Sequence, residues 1–207
     1  MKDIIVIFPI DLYDDLSNLK DKQVFIVEEQ IYFDRSSSKL GNLKFNILKP
    51  IYHRATMMSY YNKLQKLNIN CIYIELNTNW IKTIKLYKYE NIYFYNPVDH
   101  ILEKKIKDNF KDYHILDTSR FILNKNDILL YNGVLKQTSF YIWMRKKYDI
   151  LMKDNKPIGN KMTYDTDNRK PPTKNIINEL PMEKNYSSYI KDSISYIKKN
   201  IKIIIST

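Results

Sequence analysis

Two adjacent carboxylates, Glu28 and Glu29, are the first candidates for a functional site in this chain. Glu28 and Glu29 follow an apolar, β-branched run that ends at Val27, so they lie where a buried strand would end. Strand ends of this kind face the ligand crevice of an open α/β sheet, where a carboxylate could hydrogen-bond a ligand. Because neighbouring residues on a strand face opposite ways, a shared metal or acid–base site is not expected. The alternative is that both side chains are simply solvated.

A histidine is the next candidate, since His53 lies in the longest segment with helical spacing of apolar residues, Leu48 to Leu67. Histidine can act as an acid or a base near neutral pH, but the pattern supplies no carboxylate or nucleophile beside it. Two alternatives remain: packing or hydrogen bonding inside the fold, or lining a ligand crevice. His100 and His114 are expected at the surface or at helix ends.

Several classes of site are excluded by residue counts. The three glycines, Gly41, Gly133 and Gly159, cannot build a G-x-G-x-x-G turn or a Walker loop, which argues against an NAD-dependent enzyme or an NTPase. Cys71 is the single cysteine, so the chain holds neither an internal disulfide nor the several thiolates of an iron–sulfur cluster. No catalytic residue and no metal ligand is predicted.

Positive charge is the other prominent feature, with a formal net charge of +11 in 207 residues. One interpretation is that the chain binds a polyanionic partner, DNA above all. The other is that the lysines simply lie on solvent-exposed faces. Five basic residues near the end of the chain could contact DNA phosphates or an acidic partner domain. They are Arg145, Lys146, Lys147, Arg169 and Lys170.

The predicted secondary structure around these residues alternates between strands and helices. Strands are predicted at 4–8, 24–27, 70–74, 92–95 and 113–116, helices at 48–67, 80–86 and 98–109, and a polar turn with a short helix over 11–19. Such alternation means βαβ units, so the predicted fold is α/β: a Rossmann-like domain of about five mostly parallel strands. No apolar run approaches the roughly 18–20 residues of a membrane span. The apolar run near the start is too short for a signal peptide and an acidic residue, Asp3, precedes it, so an intracellular, soluble protein is expected.

The last third of the chain is predicted to close the domain and lead out of it. Residues 140–151 have the spacing of an amphipathic helix, with Phe140, Trp143 and Met144 on one face. Prolines and Gly159 then favour an extended or turning backbone. The expected division is an α/β domain over 1–172, followed by a linker and a helical tail over 173–207, with the helix predicted from Tyr186 to Ile205.

An ordered set of unusual residues runs through this region. It comprises Phe140-Tyr141, Trp143-Met144-Arg145, Leu151-Met152, Lys156-Pro157, Gly159, Lys161, Tyr164-Asp165 and Asp167-Asn168-Arg169-Lys170-Pro171. The set resembles the end of the N-terminal domain in the deoxyribodipyrimidine photolyase-related family, the prokaryotic (6-4) photolyases and cryptochromes with an iron–sulfur cluster. Earlier, His53-Arg54-Ala55-Thr56-Met57 is similar to that family's His-Arg-Ala-Ser-Met helix. The chain departs from the family at Asn160, where a glycine is usual, and at Met162, where tryptophan is usual.

The resemblance covers roughly residues 3–200 and implies an N-terminal, antenna-type domain. The family's larger helical domain, which holds FAD, the cluster cysteines and the DNA-lesion pocket, is not matched, so neither FAD nor the cluster is expected in this chain. The resemblance implies a 6,7-dimethyl-8-ribityllumazine antenna, with candidate contacts at Pro9, Asp11, Leu12, Glu28, Tyr32 and His53. It also implies inactivity alone, and a separately encoded FAD-binding half that would complete a split DNA photolyase and contact DNA. The alternative is a degenerate remnant, or a basic module that binds nucleic acid or protein without light chemistry.

Overall fold

The computed structural model of the chain describes residues 2–118, 120–163, 169, 171 and 187–201. The chain falls into two compact units. The first comprises Met1–Ser119 with Asn185–Thr207, and the second comprises Arg120–Lys184. The domain boundary expected at residue 172 stays a prediction, because residues 172–186 lie outside the described part of the chain.

A five-stranded sheet forms the centre of the first unit. Its strands are β1 (Lys2–Ile7), β2 (Gln23–Val27), β3 (Cys71–Ile74), β4 (Tyr89–Tyr95) and β5 (His114–Leu116). They lie in the order β3-β2-β1-β4-β5, and every neighbouring pair is parallel. The apolar runs of β1 and β2 are buried, as expected for strands covered on both faces. The predicted Rossmann-like α/β fold is therefore confirmed.

The strand order places a reversal of winding between β1 and β4. From β1 the chain moves outward through β2 to β3, then returns and moves the other way through β4 to β5. In open parallel sheets, ligands bind outside the carboxyl ends of the strands near such a reversal. A ligand site is thus expected at this edge, among the loops that follow β1 and β4 and those of the adjacent strands.

Five helices accompany this sheet in the described part of the first unit. They are α1 (Gln30–Phe33), α2 (Leu48–Lys66), α3 (Trp80–Leu86), α4 (His100–Asn109) and α7 (Ser187–Asn200). The predictions for 48–67, 80–86 and 98–109 are confirmed within two residues, and Asn79 and Asp99 cap α3 and α4 as acceptors. The polar turn and short helix predicted over 11–19 take the form of a loop followed by a 3₁₀ turn, Ser17–Leu19, where the Asp15 carboxylate accepts the Ser17 amide at 2.9 Å.

The C-terminal helix packs against the core of the first unit. Helix α7 lies on α2, where Asn62 donates to the Tyr189 hydroxyl at 3.2 Å. Ile197 and Ser193 on the same helix are buried. The helix predicted from Tyr186 to Ile205 is confirmed over Ser187–Asn200, while residues 202–207 lie outside the described part.

The second unit contains two helices and a short hairpin in its described part. These are α5 (Lys125–Leu130), α6 (Gln137–Lys147), and the antiparallel pair β6 (Met152–Lys153) and β7 (Lys156–Pro157). The helix predicted over 140–151 ends at Lys147, because Asp149 takes a φ of 54°, which no α-helix continues. Asn160, where the family has glycine, takes a φ of 59°, a left-handed conformation that asparagine tolerates.

Candidate functional site

A cavity of about 420 Å³ opens beyond the carboxyl ends of β2 and β3. Residues 28–30 and Asp34 form one wall, and residues 76–81, which lead from β3 into α3, form another. Lys105 of α4 and the end of α7, Asn200 and Ile201, complete the lining. The cavity lies entirely within the first unit, at the edge where a parallel sheet of this kind binds ligands.

A buried ion pair and an indole form part of the lining. The Glu29 side chain is 1% exposed and accepts from both Lys105 Nζ, at 2.9 and 2.8 Å to its two oxygens, and the Trp80 indole N–H. Trp80 is held by edge-on contact with Phe8, at the end of β1, and by stacking on Phe110, with ring centroids 5.6 and 6.0 Å apart. Glu29 is therefore paired inside the fold, not solvated.

The neighbouring carboxylate, Glu28, has every acceptor position directed at the protein. Its Oε1 accepts from Arg54 Nη1 and the Tyr73 hydroxyl, both at 2.6 Å. Its Oε2 accepts from the Leu76 amide and the Tyr196 hydroxyl, both at 2.9 Å. A buried carboxylate needs this degree of satisfaction, since isolated burial of a charge is costly. Glu28 lines the cavity, but its hydrogen bonds go to groups on α2, β3, the loop after β3 and α7, and so connect these segments.

The two tyrosines stay protonated donors to Glu28. Burial, reinforced by the Glu28 negative charge, raises the pKa of both Tyr73 and Tyr196 well above the ordinary phenol value. Arg54 adds to the cluster by lying over the Tyr196 ring, 3.4 Å from guanidinium carbon to ring centroid. Both phenols therefore serve Glu28 as hydrogen-bond donors and not as acids near neutral pH.

Uncharged polar groups supply the rest of the lining. Asn77 Nδ2 donates to Asn200 Oδ1 at 2.8 Å, which joins the loop after β3 to the end of α7. Asn79 accepts the Lys82 amide at 3.1 Å, and Gln30 and Thr78 add further amide and hydroxyl groups. Such groups orient a ligand by hydrogen bonds without demanding that it be charged.

The predicted contacts after β1 lie apart from this lining. Pro9, Asp11 and Leu12 form the loop that follows β1, and none of them lines the cavity. Asp11 is buried, and its carboxylate accepts the Phe8 amide at 3.0 Å, so it closes the turn at the strand end.

The predicted pair Tyr32 and His53 does come together, but outside the cavity lining. Their ring centroids are 6.0 Å apart, and the Phe33 ring is 6.0 Å from His53 on another side. Among the described residues, none hydrogen-bonds the buried Nε2 of His53. Burial, with a smaller effect of the Lys49 charge, lowers the pKa of His53 to about 4. The imidazole is therefore neutral at physiological pH and packs among aromatic rings.

The basic residues of the second unit differ in how available they are. Arg145 is 3% exposed and donates to the carbonyls of Ile150, Leu151, Lys161 and Met162. Lys147 pairs with the buried carboxylate of Asp127, which also accepts the Asn124 amide in the capping box of α5. Of the five, Lys146, Lys147 and Arg169 are exposed in the described part of the chain, although Lys147 is held in that ion pair, and Lys170 lies outside it. Arg145 was expected to contact phosphates or a partner, but its N–H groups donate to backbone carbonyls of the second unit.

Sequence reasoning identified Glu28 and Glu29 but missed other residues that build the cavity. Lys105, Asn77 and Asn200 were not singled out. An asparagine before a helix is a capping signal, and it could have pointed to Asn79. No local signal marks Lys105, because its partner Glu29 is 76 residues away in the chain.

The described residues contain no group of three or more His, Cys, Asp or Glu side chains arranged to hold a metal ion. Within the same residues, no helix is long and apolar enough to span a bilayer.

Comparison with known proteins places the chain in a family. Over 188 residues it is 37% identical to an uncharacterized protein of Acanthamoeba polyphaga mimivirus, a match that covers 82% of this chain and 94% of the viral one. A family model described as deoxyribodipyrimidine photo-lyase-related protein matches residues 5–204, nearly the whole sequence. The resemblance carried by the histidine helix and the closing motif is thereby confirmed, and this chain belongs to the deoxyribodipyrimidine photo-lyase-related protein family.

Proposed function

We propose that this chain is an antenna-type domain of a photolyase-related protein, and that the cavity beyond β2 and β3 holds its chromophore. The observation that carries the proposal is the position of a cavity of about 420 Å³ at the ligand-binding edge of the sheet. Its volume lies within the range of about 300–1,000 Å³ that is usual for small-molecule sites. The family relationship supplies the class of ligand.

The lining suits 6,7-dimethyl-8-ribityllumazine, a heteroaromatic ring with amide-like edges and a polyhydroxylated chain. Gln30, Asn77, Thr78 and Asn200 offer amide and hydroxyl partners for such groups, and Ile81 offers an apolar surface for the ring. These residues would hold the chromophore. The bound chromophore would absorb near-ultraviolet and blue light and pass the excitation to a flavin.

A flavin-binding half on another chain completes the proposal. This domain is inactive in photorepair by itself, and it would contact DNA through that partner. Large apolar side chains on the second unit support a protein partner, since Leu129 and Leu135 are 83% and 93% exposed. Mixing the purified chain with the candidate flavin half at micromolar concentration should yield one complex on gel filtration, and two separate peaks would contradict the split-enzyme proposal.

Titration of the chromophore-free chain with 6,7-dimethyl-8-ribityllumazine tests the cavity. Binding, followed by the anisotropy of lumazine fluorescence, should saturate in the wild-type protein. Ile81→Trp should abolish it, because the larger indole would project into the cavity that Ile81 lines and obstruct the ligand. Leu86→Trp is the matched control on the same helix: Leu86 is 76% exposed and does not line the cavity, so binding should persist.

The candidates Tyr32 and His53 provide a second location for the chromophore. His53→Phe keeps an aromatic ring beside Tyr32 and leaves the cavity lining intact. Under the proposal this variant binds the lumazine as the wild type does. Loss of binding in His53→Phe, with binding retained in Ile81→Trp, would move the site to the aromatic pair.

The net charge of +11 favours one other candidate function, a basic module that binds nucleic acid without light chemistry. Lys146 and Arg169 are exposed and available for phosphates, whereas Arg145 and Lys147 are engaged internally. Such a module predicts that affinity for DNA falls steeply as salt rises, without preference for sequence or lesion. Binding that is insensitive to salt would argue against it.

A further inference from the structure

The charges on the cavity wall are unevenly distributed. Three acidic residues line it, Glu28, Glu29 and Asp34, and Lys105 is the single basic residue of the described lining. The Lys105 ammonium forms an ion pair with the buried Glu29 side chain and donates to both of its carboxylate oxygens. A ligand that enters the cavity therefore meets a lysine whose charge is already neutralised.

The other two acids leave the wall slightly negative. Glu28 is balanced by Arg54, which contacts it at 2.6 Å but does not line the cavity. Asp34 accepts the Ser36 amide at 2.9 Å, and within the described part of the chain no Lys or Arg pairs with it. Arg54 and Lys105 neutralise two of the three lining carboxylates, so the lining has a net charge of about −1.

Helix ends add to this balance. Helix α7 has 14 residues and ends at the cavity with Asn200, so the partial negative charge of its carboxyl end faces the same space. Helix α3 begins there too, but it has only seven residues, and the Asn79 side chain already accepts one of its free amides. Exposed lysines such as Lys198 lie outside the lining, where salt screens them over about 8–10 Å.

We infer that this cavity selects a ligand without phosphate or carboxylate groups, and that Glu29 is the residue that determines this specificity. The ligand class is an uncharged heteroaromatic molecule with hydroxyl or amide groups. Glu29 acts by holding the Lys105 ammonium in an ion pair. The Lys105 side chain is 35% exposed and, without Glu29, would be well placed to bind an anionic ligand. The inference rests on the proposed function, since it assumes that the cavity binds the chromophore.

Riboflavin and FMN are suitable probes, because they share a ring and a ribityl chain and differ by one phosphate. The wild-type chain should bind riboflavin at least about tenfold more tightly than FMN, as followed by quenching of flavin fluorescence. Glu29→Gln should raise the affinity for FMN about tenfold and leave riboflavin nearly unchanged. The amide oxygen of that glutamine can still accept from the Trp80 indole, so the local fold is retained.

Two control variants locate the effect. Lys105→Met in the Glu29→Gln background should remove the increase in FMN affinity, because the double variant lacks the ammonium that binds the FMN phosphate. Asp34→Asn removes a lining charge that holds no lysine, so its effect on the ratio of affinities should be smaller than that of Glu29→Gln. Millimolar inorganic phosphate should compete with FMN in Glu29→Gln and should not displace riboflavin from the wild type.

The outcomes separate this inference from the proposed function. Equal or tighter binding of FMN by the wild type, or a Glu29→Gln variant that gains affinity for both flavins alike, would overturn the specificity role. Binding in the cavity, tested by Ile81→Trp, would then still stand. If wild-type protein bound neither flavin nor the lumazine, both the inference and the proposed function would fail.

Discussion

The Tyr196 hydroxyl on the last helix donates to Glu28 Oε2 at 2.9 Å, although the two residues are 168 positions apart in the chain. The same hydroxyl accepts the Leu76 amide at 3.2 Å, and the Arg54 guanidinium lies over the ring. The end of β2, the loop after β3, helix α2 and helix α7 therefore meet at one buried carboxylate. Helix α7 is an integral part of the wall beside the cavity.

Removing the Tyr196 hydroxyl should loosen α7. Tyr196→Phe keeps the ring over Arg54 but deletes the hydrogen bonds to Glu28 and Leu76, so the free energy of unfolding should fall by about 1–3 kcal/mol. Urea unfolding followed by circular dichroism measures the change. Tyr189→Phe, which deletes a single contact with Asn62 on the same helix, is the control and should cost less. Equal losses in the two variants would contradict a special role for Tyr196.

Neutralising Glu28 should be more damaging. Glu28→Gln leaves Arg54, only 11% exposed, with the more exposed Glu75 at 3.1 Å as its remaining charge partner, and the expected loss is about 3 kcal/mol in the free energy of unfolding. Adding Arg54→Met removes the cation that has lost its buried partner, so the double variant should be more stable than the sum of the two single losses predicts. Strict additivity of the two losses would show that the ion pair is not coupled.

The fold could be predicted from the sequence because its signals are local. The run Ile4 to Ile7 is continuously apolar, and the strand forms there; Trp80 to Leu86 begins after a capping asparagine, and the helix has those bounds. The cavity could not be predicted in the same way. Glu28 was identified as a polar group at a strand end, but its partners Arg54 and Tyr196 come from distant segments, and no pattern along the chain specifies which donors will converge on it.

The segment 11–19, predicted as a polar turn and a short helix, shows the limit of local signals as well, since its helical part is a single 3₁₀ turn, Ser17–Leu19. Asp11 and Asp15 there accept nearby backbone amides, at Phe8 and Ser17, so their side chains compete with helical hydrogen bonds. The helix predicted to run to Leu151 stops at Lys147 for a different reason, since Asp149 adopts a left-handed backbone.

The neutral state of His53 should make stability depend on pH. Above pH 6.5 the imidazole is neutral in both the folded and the unfolded chain, so it contributes no pH dependence. Between 6.5 and about 4 only the unfolded chain takes up the proton, so the free energy of unfolding should fall as pH falls, by about 3 kcal/mol in total. Unfolding curves of wild type and His53→Gln should therefore diverge across this window. Parallel pH profiles would contradict a buried neutral histidine.

Arg145 should organise the second unit. Its guanidinium donates through Nε, Nη1 and Nη2 to carbonyls of the segment that follows α6, a fork that lysine cannot reproduce. Arg145→Lys should therefore speed proteolytic cleavage between residues 148 and 163 several-fold. Lys146→Ala changes an exposed neighbour and should alter stability by less than about 0.5 kcal/mol, without faster cleavage. Unchanged cleavage in Arg145→Lys would show that the fork is dispensable.

The most direct test of the antenna proposal is the absorption and fluorescence spectrum of the chain purified from a host that makes riboflavin precursors. The proposal predicts a near-ultraviolet to blue band that stays with the protein through gel filtration. The band should be absent from Ile81→Trp, which obstructs the cavity, and present in Leu86→Trp. A colourless wild-type protein that also fails to take up added 6,7-dimethyl-8-ribityllumazine would contradict the proposal.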